Sequence, residues 1–590
     1  TLAAVYAPIA FAPGKTGRLF QEFALTLAGA VIVSGFVALT LTPMMSSKIL
    51  RHDPNPGRFF TFIERILVAI ETGYRKALGT TLKAHTLVLL TALGVAGMSG
   101  FFFLQLKSEL APLEDRGVMR LRGSSPEGAT VGYTYRYANQ MGEIMKSVPE
   151  VNGRLVIAGL GSQDITQSLV FAPLIDWSER ERSQQEITKE VNPKLRSIPG
   201  ILAIAQAPGS FGQRGAGRPV EFIIQSSGSY EQLQEYVDKM LERIATNPGL
   251  ESIDTDLKLN TPEFRIEIDR AKVADLGLDV AVVGRTLETM LGGRQVTRFE
   301  QNGEQYDVWV QLAISDRATP EALQTIFLRN PQNQMIQLSN IVEVKESVAP
   351  KELKRFNQLR SVTIQANLAP SYSVGEALDF LENSARELLP ETVQTDVSGQ
   401  SRDFRASADS LAMVFILALG FIYLVLAAQF ESFRDPVIIM LTVPLSMTGA
   451  LGALWLTGGT LNVYSQIGLV TLVGLITKHG ILIVEFANQR QHEGVERIAA
   501  VIDAAVLRLR PILMTTGAMV LGALPLALAS GAGAESRQQI GWVIVGGMSL
   551  GTLLTLFVIP AVYSYLAHIP AVEDEGSEAT LHDARPTPAE

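Results

Sequence analysis

A single lysine interrupts an otherwise apolar run of the chain. Between residues 463 and 488 the only lysine or arginine is Lys478, and the only carboxylate is Glu485. Lys478 lies about eleven residues from the polar end at Gln489, roughly 16 Å along a helix, which is too far for easy snorkelling to water. A charge at bilayer depth costs at least about 2.5–3.5 kcal/mol, so such a group normally has a partner or lines a water path. The chemistry open to it is that of a proton-accepting base or a counter-ion. The plainer alternative is a structural lysine bonded to carbonyls at a helix break, with Gly474 and Gly480 close by. Its counter-charge is missing from the apolar runs, which hold no deep aspartate; Glu485 is two turns away, about 10 Å along the helix. Either Lys478 sheds its charge or its partner belongs to sequence before Thr1, and the second is expected. Thr515 and Thr516, in the next apolar run, have hydroxyls able to pass protons, although threonines in membrane helices mostly bond back to their own backbone. Arg508 and Arg510 precede that run and read first as cytoplasmic anchors; a part in proton exit is the lesser reading.

The elements that must carry these residues are long and apolar. Residues 23–45, 85–106, 411–429, 436–457, 463–488, 511–530 and 540–567 each suffice to cross a bilayer. Residues 1–12 are apolar, too short to span, and lack a signal-peptide pattern; they read as the end of an eighth helix, so the chain is expected to be a fragment. Glycines and prolines inside the runs, among them Gly449, Gly546 and Gly551, suit closely packed helices. The connections 46–84 and 489–510 are rich in lysine and arginine and should be cytoplasmic. That leaves the large segment from Lys107 to Arg405 on the other side, the periplasm of a Gram-negative cell. Within 57–83, Phe59, Phe62, Ile63, Ile66, Leu67 and Ile70 recur at helical spacing, as in an amphipathic helix lying on the inner membrane surface.

Composition closes off several classes. The 590 residues are 47% hydrophobic and carry a net charge of -9, which argues against nucleic acid as a partner. Cysteine is absent, so disulfides and thiolate metal sites are excluded. No nucleotide loop, metal cluster or triad spacing is present, so neither an enzyme nor a cofactor is expected. The segment between the apolar runs alternates strands (118–122, 154–158, 219–225, 253–259, 264–268) with helices (129–147, 230–245), suggesting split β-α-β subdomains. A helix over 279–291 and a hairpin turning at Asn302–Gly303 follow. The acidic tail after residue 568 reads as disordered.

Gly474-Leu-Ile-Thr-Lys478-His-Gly-Ile-Leu-Ile-Val-Glu485-Phe-Ala and Arg508-Leu-Arg-Pro-Ile-Leu-Met-Thr515 resemble the tenth and eleventh helices of resistance–nodulation–division (RND) permeases, in the hydrophobe/amphiphile multidrug efflux branch. Leu39-Thr-Leu-Thr-Pro-Met resembles the end of the sixth helix, Leu113-Glu-Asp-Arg-Gly the entry into the porter domain, and Thr261-Pro-Glu-Phe-Arg-Ile-Glu-Ile-Asp a later porter strand. The resemblance implies an α-helical transmembrane bundle plus an α+β periplasmic domain of split β-α-β porter subdomains with an inserted docking subdomain. Its domains would be 1–45 (partial fifth and sixth helices), 46–84 (cytoplasmic connector with the amphipathic helix), 85–106 (transmembrane helix), 107–264 (porter), 265–353 (docking), 354–402 (porter), 403–568 (five helices) and 569–590 (tail). It assigns Lys478, Thr515 and Arg508 to a proton relay whose paired aspartates, on the fourth helix, fall outside this chain. His479 stands where multidrug members commonly have asparagine.

By the same resemblance, Leu155, Ile157, Leu160 and Phe171 line a substrate pocket, with Gly159 and Gly161 in the switch loop beside it. Without the resemblance these residues read as the core of a strand and its neighbour. With it, apolar walls and a glycine-hinged loop suit amphiphiles. Implied partners are a homotrimer, a periplasmic adaptor (membrane fusion) protein, an outer-membrane channel, amphiphilic small molecules and membrane lipid. The implied function is proton-driven export from the inner membrane as part of a tripartite pump. The alternatives are a heavy-metal exporter of the same superfamily, which would want soft or imidazole ligands along a path, and a non-transporting scaffold or receptor.

Overall fold

In the computed structural model the described residues are 14–49, 58–159, 164–206, 218–369 and 372–567. Six described helices are long and apolar enough to cross a membrane: Gln21–Ile49, His85–Gln105, Met413–Phe430, Asp435–Leu456, Val463–His492 and Ala534–Leu566. The expected span 511–530 is the second half of one longer helix, Arg497–Ala527, whose first half carries Arg497, Asp503, Arg508 and Arg510. The span 436–457 is built in two pieces, Asp435–Met440 and Thr442–Leu456, which meet at Leu441. Residues 1–12 and 569–590 lie outside the described residues.

Small residues decide how closely these helices approach. A Cβ on Gly449 would lie 2.5 Å from the carbonyl oxygen of Gly546, and one on Gly546 would lie 2.6 Å from the carbonyl oxygen of Gly449. Helix Thr442–Leu456 therefore meets the last helix backbone to backbone, the contact that small residues permit where lipid supplies no hydrophobic drive. The lysine-bearing helix, Val463–His492, starts at Asn462, whose side chain accepts from the backbone of Tyr464 and Ser465 while Ser465 returns the bond. That reciprocal cap satisfies donors a helix start leaves open.

Helix Arg58–Lys83 uses its two faces differently. Tyr74 and Leu78 are buried, and Tyr74 OH donates to the carbonyl of Leu556 at 2.6 Å. Arg510 pairs with Glu64 (2.9 Å) and Glu71 (2.6 Å), and Asp503 with Arg75 (2.6 Å). Phe62, Ile63, Ile66 and Ile70 stay exposed. The amphipathic pattern thus serves a helix clamped to the bundle by charge on one side, with an apolar stripe left on another.

The soluble region repeats one topology. Strands β1 (Val118–Ser124), β2 (Leu155–Ala158), β3 (Gln167–Pro173) and β4 (Leu202–Gln206) form an antiparallel sheet in the order β2-β3-β1-β4. Helices Val131–Lys146 and Gln184–Arg196 cover one face, where Met119, Leu121, Val170, Ala172 and Ala203 join their buried sides. A second sheet holds β5 (Val220–Ser226), β6 (Leu250–Thr255), β13 (Arg355–Phe356), β14 (Leu359–Leu368) and β15 (Gln394–Val397), with β6 on β14, β14 on β5 and β5 on β15. Four of its strands repeat the first sheet's order, with helices Tyr230–Ala245 and Val374–Leu388 in the equivalent places. The difference is an insertion between its second and third strands. There β7 (Thr261–Ile268) pairs with β12 (Val342–Ala349), around a hairpin of β8 (Arg294–Gln301) and β9 (Glu304–Val310) and a short pair of β10 (Phe327–Arg329) and β11 (Met335–Gln337). The hairpin turns at Asn302 (φ 57°) and Gly303 (φ 82°), both left-handed as a two-residue hairpin turn demands. The insertion has its own core of Val273, Val283, Leu328, Leu338 and Ile341.

Candidate functional site

The lysine helix turns Lys478 outward. Its neighbours Thr477 and His479 are fully buried in the bundle, whereas Lys478 and Glu485, seven residues apart on one face, are exposed. Lys478, expected at bilayer depth in an apolar run, is thus not enclosed by the helices around it. Those helices cover the line through Val473, Ile476, Gly480 and Ile483 and leave the lysine line open. Among the described residues Lys478 has no hydrogen-bond or ion-pair partner.

Of the two threonines offered by position, the helices around it bring Thr516, and not the Thr515 that the resemblance singled out, to the lysine helix. Thr515 donates to its own helix, to the carbonyls of Pro511 (2.9 Å) and Ile512 (3.0 Å). Thr516 Oγ1 lies 3.3 Å from His479 Nε2 and 3.1 Å from Thr552 Oγ1, which is 3.4 Å from His479 Nδ1. The hydroxyl facing the lysine helix is thus that of Thr516. Arg508 does reach that helix: its guanidinium lies over the Phe486 ring at 4.9 Å, with Nε buried and unbonded. At the helix end a further network escaped sequence reasoning. Asn488 donates to Asp435 (3.0 Å), Tyr563 donates to Asn488 (2.5 Å), and Gln491 donates to Tyr563 (2.8 Å). Its signal in the sequence was slight: polar Asn488 and Gln491 closing an apolar run.

A second candidate region is the sheet face away from the helices Val131–Lys146 and Gln184–Arg196. Leu155 pairs with Phe171 and Ile157 with Leu169 across β2 and β3, and directly opposed residues share a face. None of these four belongs to a hydrophobic core, and Leu155 is 58% exposed. Leu155, Ile157 and Phe171 therefore lie together as expected, on an open face rather than in a core. Gly159 closes β2 in the left-handed region (φ 79°), its N–H donating to the carbonyl of Gln167 at 2.9 Å. Leu160 and Gly161 lie outside the described residues.

The two regions are joined by a charged splice. Leu461 N–H donates to the carbonyl of Lys107 (2.8 Å), Glu109 N–H to that of Leu461 (3.1 Å), and Thr460 Oγ1 to Glu109 (2.5 Å). Burial pushes the Glu109 carboxyl up from its ordinary value. Ser536, in the first turn of the last helix, donates to Glu114. Asp115 accepts from Arg180 (2.5 Å), the Gln184 N–H (2.7 Å), the Gly117 N–H (3.0 Å) and Trp177 Nε1 (3.2 Å). Burial alone would raise the Asp115 carboxyl, but the bonds from Arg180, Gln184 and Gly117 outweigh it and hold it below the aspartate range.

A bundle of apolar helices with a charge on one open face, fused to a duplicated α/β head, defines a polytopic membrane protein of the transporter kind. The chain belongs to the AcrB/AcrD/AcrF family, whose model matches residues 1–567, and so to the RND efflux permeases. It is similar to an uncharacterized transporter of Haemophilus influenzae, at 41% identity over 96% of this chain and 55% of that protein. It is also similar to the multidrug/solvent efflux pump membrane transporter MepB of Pseudomonas putida, at 31% over 99% of this chain and 57% of that protein. The multidrug resistance protein MdtF of Escherichia coli O157:H7 shares 30% over 96% and 56%. The chain thus spans just over half the length of these relatives.

Proposed function

We propose that this chain works in the proton-driven export of amphiphilic or hydrophobic compounds, with its α/β head in the periplasm and its bundle in the inner membrane. Membership of an efflux family supports drug export; proton coupling is our reading, and Lys478 is the observation that carries it. A lysine on the open face of a long apolar helix makes sense only if an acidic partner or a water path meets it there. We assign Lys478 the role of counter-ion or proton carrier, with Arg508 on the proton route and Thr515 or Thr516 supplying a hydroxyl. The head's two repeated units would be porter subdomains and the insertion a docking surface for an outer-membrane channel, working in a homotrimer with a periplasmic adaptor. Leu155, Ile157 and Phe171, with Leu160 and the loop of Gly159 and Gly161, would form the substrate wall.

The test is Lys478→Ala in the full-length protein, expressed in cells lacking other efflux pumps. Accumulation of an amphiphilic dye should rise to the level of pump-free cells while the variant reaches the membrane in normal amount. Unimpaired dye efflux by that variant would end the proton-coupling role.

A further inference from the structure

The candidate substrate face is not wholly apolar. β1 alternates so that Met119 and Leu121 enter the core beneath the helices, which sends Arg120 and Arg122 to the opposite side. The register then lays out two rows across the four strands. One runs Leu155, Phe171, Arg120, Gln206; the next runs Ile157, Leu169, Arg122, Ile204. In each row the first two positions are apolar and the third, on β1, is cationic.

Arg120 differs from most arginines of this unit. Arg180 is paired with Asp115, Arg182 with Glu150 and Glu190, and Arg154 with Glu143. Arg120 has no carboxylate partner among the described residues; its guanidinium lies 5.5 Å from the Phe171 ring centroid, and its Nε is buried without a hydrogen bond. Arg122 Nε donates to a neutral group, Gln167 Oε1, at 3.2 Å. At the end of the sheet the acids Glu127 and Asp164 are engaged by Lys351. An arginine with unfilled donors on an aromatic ring binds a carboxylate or sulfate through two parallel bonds, and the same charge repels a cation. If Arg120 served only to cover Phe171, the ring contact alone would account for it, and the nature of a ligand's head group would not matter.

We propose that this face selects amphiphiles with one anionic head group, a carboxylate, sulfate or sulfonate. Arg120 holds the head, while Phe171, Leu169, Leu155 and Ile157 take the tail. Arg120 is a specificity-determining residue. The proposal rests on the export reading for its biological meaning, but binding tests it separately.

The experiment measures equilibrium binding of dodecanoate, dodecyl sulfate and dodecyltrimethylammonium, which share one tail, to purified full-length protein in nanodiscs of zwitterionic lipid. Both anions should bind about tenfold more tightly than the cation, the scale of one charge-assisted contact. Arg120→Gln should lose about tenfold for the anions and nothing for the cation, and Arg120→Lys should recover most of the loss. Equal affinities for anion and cation in the wild type, or an equal loss for both in Arg120→Gln, would overturn the proposal and leave Arg120 a packing residue. So would displacement of dodecanoate by anionic phospholipid added to the discs, which would make a lipid headgroup the ligand. Head-group selectivity that persists in a Lys478→Ala protein unable to export keeps this inference apart from the export reading; export without head-group selectivity sinks only this one.

Discussion

Asp115 and Lys478 are opposite solutions to placing a charge in this protein. Asp115 sits in the splice between bundle and head, and its carboxylate is filled by four donors from three parts of the unit. Lys478 sits in the bundle, and no described residue answers it. A fully answered charge is architecture: removing it strands Arg180, whose side chain is only 2% exposed. An unanswered charge makes no contact among the described residues, and that is the ground on which we propose a working role for it. The same contrast recurs within the head, between the paired Arg180 and the unpaired Arg120.

Stability measurements can break that contrast, and the largest effect is expected at the splice. Asp115→Ala should cost about 3–5 kcal/mol, the usual penalty for orphaning one partner of a buried pair, read as a lower melting temperature of the purified protein. Because the folded Asp115 carboxyl is depressed, its contribution is present above the unfolded value of about 3.9 and is lost as pH falls through the lower folded value. The gap between wild type and Asp115→Ala should therefore narrow on acidification, and a constant gap would contradict the pairing.

Next comes Gly546→Leu, which forces atoms into the Gly449 backbone and should cost about 1–3 kcal/mol or more through overpacking. Thr516→Val should cost about 0.6 kcal/mol, typical of a hydrogen bond between membrane helices, while Thr515→Val, whose hydroxyl serves only its own helix, should cost less. Smallest is the stability effect of Lys478→Ala, within about 0.5 kcal/mol as for an exposed site, in contrast to the large loss of export that our proposal expects of it. A destabilisation of Lys478→Ala comparable to that of Asp115→Ala would erase the distinction.

Much of the architecture was legible because its causes are local. Apolar runs marked the long helices, and Asn302–Gly303 marked the hairpin, since few other pairs tolerate two left-handed residues. Lys478 was legible as an anomaly, but its exposure was not: which face of a helix is covered depends on neighbours distant in sequence. The same limit explains Thr515 and Thr516. Adjacent residues point about 100° apart on a helix, and only the crossing of three helices puts Thr516, and not Thr515, beside His479. Arg120 and Arg122 were there to be read from the alternation of β1, but Phe171 joins Arg120 only through the register of β1 on β3. Asp115 lay in a recognisable motif, yet its partners Arg180 and Gln184 are more than sixty residues away.

Helix Gly399–Phe430 has a mechanical corollary. Its first turns are fastened to the head, where Ser398 donates to Glu221 (2.7 Å), Ser401 accepts from the Glu221 N–H (3.0 Å) and Arg405 bridges Asp379 and Glu382 (both 2.8 Å). Its 32 residues run on without a break into the bundle. They make a rod about 48 Å long, so a tilt of about 5° at one end displaces the other by about 4 Å. Such a rod has no joint in which to absorb motion. Small angular changes among the bundle helices arrive at the second sheet as displacements the size of a side chain.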